Sequence, residues 1–201
     1  FFYYREDHDE ALKWFRLAAE QGESQGQVNL GVCYKNGHGV EQAHEEAFKW
    51  FSLAAEQDYA PGQFNVGMSY ANGYGVEQDD EEALKWYRLA ADQGYGAAQH
   101  NIGVHYRDGC GVEQDHEEAL KWYRLAAERG NDEACFQVGM SYYEGKGGVE
   151  QDEEEACKWW EEAVKRGHEP SQLFLNSHKE LVTFFEKFPD FEIHQGTCVS
   201  I

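Results

Sequence analysis

The sequence predicts an all-α solenoid of stacked antiparallel helix pairs, and three observations carry that reading. Trp14, Trp50, Trp86 and Trp122 stand 36 residues apart, and Trp159 follows after 37. Residues 75–94, GVEQDDEEALKWYRLAADQG, and residues 111–130, GVEQDHEEALKWYRLAAERG, differ at only three places. Each period holds two helical patterns separated by glycine-containing turns. A unit of this size cannot bury its own apolar face, so it must stack on a neighbour and the period implies an array.

The spacing divides the chain into a leading half-unit at 1–22 that holds a second helix only, four full units at 23–58, 59–94, 95–130 and 131–167, and a C-terminal segment at 168–201. The longer step comes from one added glycine, because the linkers GHGV, GYGV and GCGV become GKGGV at 145–149.

The first helix of each unit is the run QVNLGVCYKNG, QFNVGMSYANG, QHNIGVHYRDG or CFQVGMSYYEG. Gly37, Gly73, Gly109 and Gly145 suit a left-handed residue closing that helix. Gly31, Gly67, Gly103 and Gly139 fall within it, each at a cost of about 1 kcal/mol relative to alanine. The expected compensation is close approach of the partner helix and its tryptophan.

In the second helix Ala83, Trp86, Tyr87 and Ala90 fall at i, i+3, i+4 and i+7, one apolar face, with Lys85 and Arg88 outward. Glu81 precedes Lys85 by four residues, the favourable orientation for a surface pair. Asp79 with Glu82 reads as a capping box at the helix start, and Asp7 with Glu10, Asp115 with Glu118 and Asp152 with Glu155 repeat it. The first full unit has Ala43 there, which predicts a start weaker by about 1 kcal/mol.

After the last unit, LFLNSHKELVTFFEKF carries Leu173, Phe174, Leu181, Phe184, Phe185 and Phe188, the apolar content of a capping helix over the open end of the stack, with Pro189 ending it. A detachable docking helix is the alternative for this segment.

Composition narrows the function. With 41% apolar and 15% aromatic residues, the 201-residue chain should fold. Its 17 Lys+Arg against 38 Asp+Glu give a formal charge of −21, which repels phosphate backbones and argues against nucleic acid as a partner. No apolar run is long enough for membrane insertion. FFYYRED lacks a signal-peptide layout, and a chain opening on Phe1 is expected to be one segment of a longer protein. Cys33, Cys110, Cys135, Cys157 and Cys198 are odd in number and lack metal-ligand spacing, so they read as reduced small hydrophobes. They favour a cytoplasmic location slightly and leave the compartment and the oligomeric state open.

Motifs for chemistry are missing. No serine is followed by lysine three positions on, and no Gly-x-Ser-x-Gly elbow occurs. His8, His44 and His116 occupy equivalent positions near helix starts, one repeat apart, too far to share an ion, and read as solvated. The acidic EQDxEEA segments lack the alternating calcium loop. The linker glycines lack the Lys-Ser/Thr of a phosphate loop and read as turns. No metal, cofactor or catalytic residue is expected.

The pattern L/V/I-G-x-x-Y-x-x-G-x-G-V-E-Q-D-x-E-E-A-x-K-W-Y-x-x-A-A-x-x-G resembles the Sel1-like repeat, a relative of the tetratricopeptide repeat. The resemblance covers residues 5–167 and implies a right-handed superhelix that serves as a non-enzymatic adaptor or scaffold for protein complexes. Some cysteine-rich relatives bind or hydrolyse β-lactams, which makes such an enzyme the alternative function. In those relatives an early cysteine of the first helix pairs with a late one of the second; Cys135 holds the early position here and Val164 the late one, so that bridge cannot form. A structural spacer between flanking domains is the second alternative.

Packing positions are nearly fixed between units, so positions that vary are where specific contact is expected. On the first helix the outward stripe reads Gln25, Asn29, Cys33, then Pro61, Asn65, Ser69, then Ala97, Asn101, His105, then Glu133, Gln137, Ser141, each at i, i+4, i+8. The resemblance places this helix on the concave side. Asn29, Asn65, Asn101 and Gln137 are expected to form an amide ladder that bonds an extended or helical peptide or protein, with Cys33, Ser69, His105 and Ser141 modulating choice. The alternative is that these amides bond their neighbours across the repeat interface. The surrounding carboxylates point to a basic or amphipathic partner.

Overall fold

A computed structural model describes the backbone of residues 3–177 and the side chains of residues 10–177. Its helices are α1 (Tyr3–Glu20), α2 (Ser24–Asn36), α3 (His44–Glu56), α4 (Ala60–Asn72), α5 (Asp80–Asp92), α6 (Gly96–Asp108), α7 (His116–Glu128), α8 (Asp132–Glu144) and α9 (Glu153–Lys165). Residues 169–177 are also helical. Each helix packs on the next, in the order α2 on α3 and α3 on α4 through to α8 on α9. This is the expected all-α solenoid of antiparallel pairs. Two of the first helices also meet directly, α2 against α4.

The first helices end as the glycines require: Gly109 has φ 73°, and its N–H donates to His105 O over 2.8 Å. The next linker glycine, Gly111, sits so close to the start of α5 that a Cβ there would meet the Asp80 carbonyl carbon at 2.5 Å. The glycine-containing linker of one unit therefore packs on the second helix of the unit before it.

The glycines inside the first helices do admit an aromatic ring, but not the expected one. A Cβ on Gly103 would lie 2.6 Å from Tyr123 Cδ1, and Gly31, Gly67 and Gly139 face Phe51, Tyr87 and Trp160 in the same way. The ring belongs to the residue after the tryptophan that sets the period. One residue turns the helix by about 100°, and the period-setting tryptophan thereby points back to the preceding unit. Trp86 packs against the cluster that holds Phe51, and Trp122 against the cluster that holds Tyr87, each centred on the preceding unit.

Three second helices, α5, α7 and α9, start on the expected aspartates, but α1 begins at Tyr3, so Asp7 lies inside the helix and does not start it. Asp79 accepts from Glu82 N, Asp115 from Glu117 N and Glu118 N, and Asp152 from Glu155 N, whereas Ala43 offers no cap. The reciprocal half of a capping box is not made. The cap N–H of Asp79 donates instead to Tyr70 O, and those of Ala43, Asp115 and Asp152 donate to the matching tyrosine carbonyls of α2, α6 and α8. The glutamate released from that role pairs with lysine, so Lys85 bonds Glu82 at 2.7 Å rather than the expected Glu81. In α7 and α9 the lysine reaches glutamates at both spacings.

At the C-terminal end Leu175 is buried on Ala156 and Trp160, and the Phe174 ring lies 4.5 Å from that of Trp160. Leu173, expected among the covering residues, is 69% exposed. Leu181, Phe184, Phe185, Phe188 and Pro189 lie outside the described residues.

Candidate interaction face

The stripe of variable residues does not point outward along its whole length. Asn29, Asn65, Asn101, Gln137 and Ser141 are half-buried. Cys33, Ser69 and His105 are buried, at 6%, 4% and 6% exposure. Positions four apart are turned by about 40° on a helix of 3.6 residues per turn, so the third member of a trio lies about 80° from the first and rolls under the neighbouring helix. Once inside, these groups are satisfied locally. Ser69 Oγ donates to Asn65 O at 2.9 Å, Ser141 Oγ to Gln137 O at 3.0 Å, and His105 Nδ1 bonds Cys110 O at 2.8 Å. Burial raises the Cys33 thiol pKa. His44 departs from expectation too, stacking on Tyr74 with ring centroids 4.7 Å apart.

The four amides share one face but do different things. Asn29 accepts from Gln25 at 3.0 Å and Asn65 donates to Pro61 O at 2.7 Å, both within their own helix. Asn101 reaches back one unit to Met68 Sδ at 3.3 Å and lies beside the Tyr87 hydroxyl. Gln137 donates to Glu133 Oε1 at 3.1 Å and accepts from Arg107 Nη1 of the preceding unit at 3.3 Å. The interface alternative thus holds for Asn101 and Gln137, and Asn29 and Asn65 make local bonds.

Between units three and four the face opens into a cleft of about 340 Å³. Arg107 spans one side, its Nε and Nη2 held by Asp108 at 2.7 and 2.8 Å. That fork raises the guanidinium pKa further and lowers that of Asp108. Lys146 pairs with Glu144 at 2.7 Å on the other side. Tyr123 lines the cleft, 2% exposed, with its hydroxyl buried and without a hydrogen-bond partner. Burial above all raises its phenol pKa, so the hydroxyl keeps its proton.

The Sel1 repeat model matches residues 3–23, 24–59, 60–95, 96–131 and 132–168. This chain belongs to the Sel1 repeat family. Among solved structures it is similar to a protective antigen of uropathogenic Escherichia coli with an SLR fold, at 41% identity and a TM-score of 0.73, over 80% of this chain and 34% of that one. It therefore spans about a third of that antigen's length. A Sel1 repeat protein from Oxalobacter formigenes is 32% identical with a TM-score of 0.78, over 94% of this chain and 72% of that one. Helicobacter pylori cysteine rich protein B shares the fold at 24% identity and a TM-score of 0.51, over 65% of this chain and 94% of that one. No curated protein matches the sequence. Sel1 repeat proteins are in general scaffolds for protein interaction. Among the described residues, no helix is long and apolar enough to cross a membrane.

The Sel1 repeats hold a second amide system that the sequence reading missed. Gln57 Nε2 donates to buried Gln27 Oε1 at 2.8 Å, and Gln93 Nε2 to buried Gln63 Oε1 at 2.9 Å. Asp58 accepts from both Gln63 and Gln93, at 2.8 and 3.1 Å. Asp58 also has φ 58°, in a left-handed position where the sister units place Gly22, Gly94, Gly130 and Gly167. Its two bonds offset a backbone strain of about 1 kcal/mol. The 36-residue spacing of Gln27, Gln63 and Gln99 was the available signal.

A serine, histidine and glutamate also converge, with His168 Nδ1 2.7 Å from Ser171 Oγ and Nε2 2.7 Å from Glu133 Oε2. Ser171 is fully buried, and His168 Nδ1 also accepts the Ser171 backbone N–H. The trio caps the helix at 169–177 and ties it to α8; it does not present a nucleophile.

Proposed function

We propose that the chain is a non-enzymatic scaffold that binds a peptide or protein of basic or amphipathic character along the face of its first helices. The observation that carries this reading is divergence along that side of the repeats. Successive units place Lys35, Ala71, Arg107 and Tyr143 at one first-helix position and His38, Tyr74, Cys110 and Lys146 at one position of the linker that follows, while the packed alanines at 47, 83, 119 and 156 and at 54, 90, 126 and 163 of the second helices stay fixed. Packing accounts for the fixed positions, and selective contact accounts for the variable ones. A formal charge of −21 favours association with a basic surface.

The test is paired replacement at the amides that bond only within their own helix, Asn29→Arg with Asn65→Arg. Capture of partners from the source cell, identified by mass spectrometry, is expected to fail for the variant while its melting temperature holds. Capture should also weaken as salt rises, because screening shortens the reach of surface charge. Capture that is indifferent to both the substitutions and salt would refute the reading.

A further inference from the structure

We propose that the cleft between units three and four is a recess for a carboxamide, the side chain of a glutamine or asparagine on the bound partner. The inference rests on the scaffold reading for its source of ligand, and on the cleft alone for its chemistry.

Two equivalent tyrosines show how the recess arises. Tyr87 and Tyr123 are buried at the same place in successive units. The Tyr87 hydroxyl has the Asn101 amide beside it, fourteen residues on, and is not among the buried groups left without a partner. The residue fourteen after Tyr123 is Gln137, which turns away to Arg107 and Glu133. Unit two has Ala71 where unit three has Arg107, so no guanidinium competes there for the amide. Arg107 thus takes the group that would satisfy Tyr123, and the phenol is left as an unmet donor in the cleft. A buried hydroxyl without a partner calls for an acceptor oxygen.

The surrounding charges select among acceptors. Arg107 is matched by Asp108 and Lys146 by Glu144, so the walls offer no uncompensated positive charge to a carboxylate. In a chain with a formal charge of −21, an anionic ligand would meet repulsion at every distance. A carboxamide avoids this, because its oxygen accepts from Tyr123 while its NH2 donates to the carboxylates of the walls. Phe136 and Met140 line the same cleft and supply apolar surface for the methylenes of a glutamine.

The experiment titrates the isotope-labelled chain with N-acetyl-glutamine methylamide, and with the glutamate and methionine counterparts, followed by NMR. The glutamine probe is expected to shift the backbone resonances of Gln137, Met140 and Ser141 saturably. The glutamate and methionine probes should bind about tenfold more weakly or not at all, the latter because its backbone carbonyls alone do not suffice. Tyr123→Phe should weaken the glutamine probe about tenfold with the circular dichroism unchanged, while Tyr87→Phe leaves binding as it is. Arg107→Ala provides a second variant, since it frees Gln137 to occupy Tyr123 and should also weaken binding. No shift in the cleft with the glutamine probe, equal shifts with the methionine probe, or full binding by Tyr123→Phe would overturn the inference. A glutamine probe that binds while partner capture fails would count against the scaffold reading alone.

Discussion

Replacing Ala43 by aspartate should stabilise the chain, and the structure supplies an internal calibration. Ala43 has φ −147° and ψ 96°, and the three capping aspartates have φ between −150° and −146° with ψ between 99° and 102°. The backbone at 43 is therefore already in the cap conformation, and its N–H already donates to Tyr34 O at 2.9 Å. An aspartate there should accept from Glu46 N as Asp79 accepts from Glu82 N at 2.9 Å. Such a cap is worth about 1 kcal/mol. Its charge at the helix start adds about 0.5 kcal/mol. Repulsion from Glu45 and Glu46 takes back a few tenths of a kcal/mol, leaving a net gain of about 1 kcal/mol. For a chain of this size the melting temperature should rise by about 2–4 °C. Hydrogen exchange locates the effect, because amides of α3 that exchange by local opening should slow about fivefold. Ala43→Asn separates hydrogen bonding from charge and should retain most of the gain. A melting temperature unchanged or lowered in both variants would refute the reasoning.

Other perturbations test the packing and the buried polar groups. Gly103→Leu must push Tyr123 aside and should lose about 1–3 kcal/mol in urea unfolding, whereas an unperturbed midpoint would show that the close approach is not needed. Tyr123→Phe removes an unpaired hydroxyl and should raise stability by about 1 kcal/mol, while Tyr87→Phe removes one that has the Asn101 amide beside it and should lower it by about as much, both read by thermal unfolding. Burial lowers the His100 imidazole pKa from 6.5, so the folded chain binds fewer protons than the unfolded one. The stability this confers is present above about pH 6.5 and is lost as pH falls through the folded value. His100→Phe, after Phe64 and Phe136 at the equivalent places, should flatten the slope of melting temperature between about pH 7 and pH 5, and an unaltered slope would assign the acid sensitivity elsewhere.

The period, the helix pairs, the left-handed glycines and the three capping aspartates were all legible because each depends on residues a few positions apart. The misreadings share a cause at longer range. The i, i+4, i+8 stripe ignored a rotation of about 40° per step, enough to carry Cys33, Ser69 and His105 from the surface into the core. The bonds between units, Asn101 to Met68, Arg107 to Gln137 and Gln93 to Asp58, depend on how one unit is set against the next, which no single helix encodes. What can be read in a repeat chain is the exception. Asp58 in a glycine position and His100 between the equivalent Phe64 and Phe136 break the 36-residue ruler, Arg107 stands where every unit differs, and each sits at a polar arrangement that its sister units lack. Arg107 shows why such breaks matter. It leaves the packing around Tyr123 intact, with that side chain 2% exposed against 1% for Tyr87, and alters only which hydrogen bonds are made. A solenoid can change its chemistry in this way without changing its shape, because the fold depends on the repeated contacts and selectivity on the one that differs.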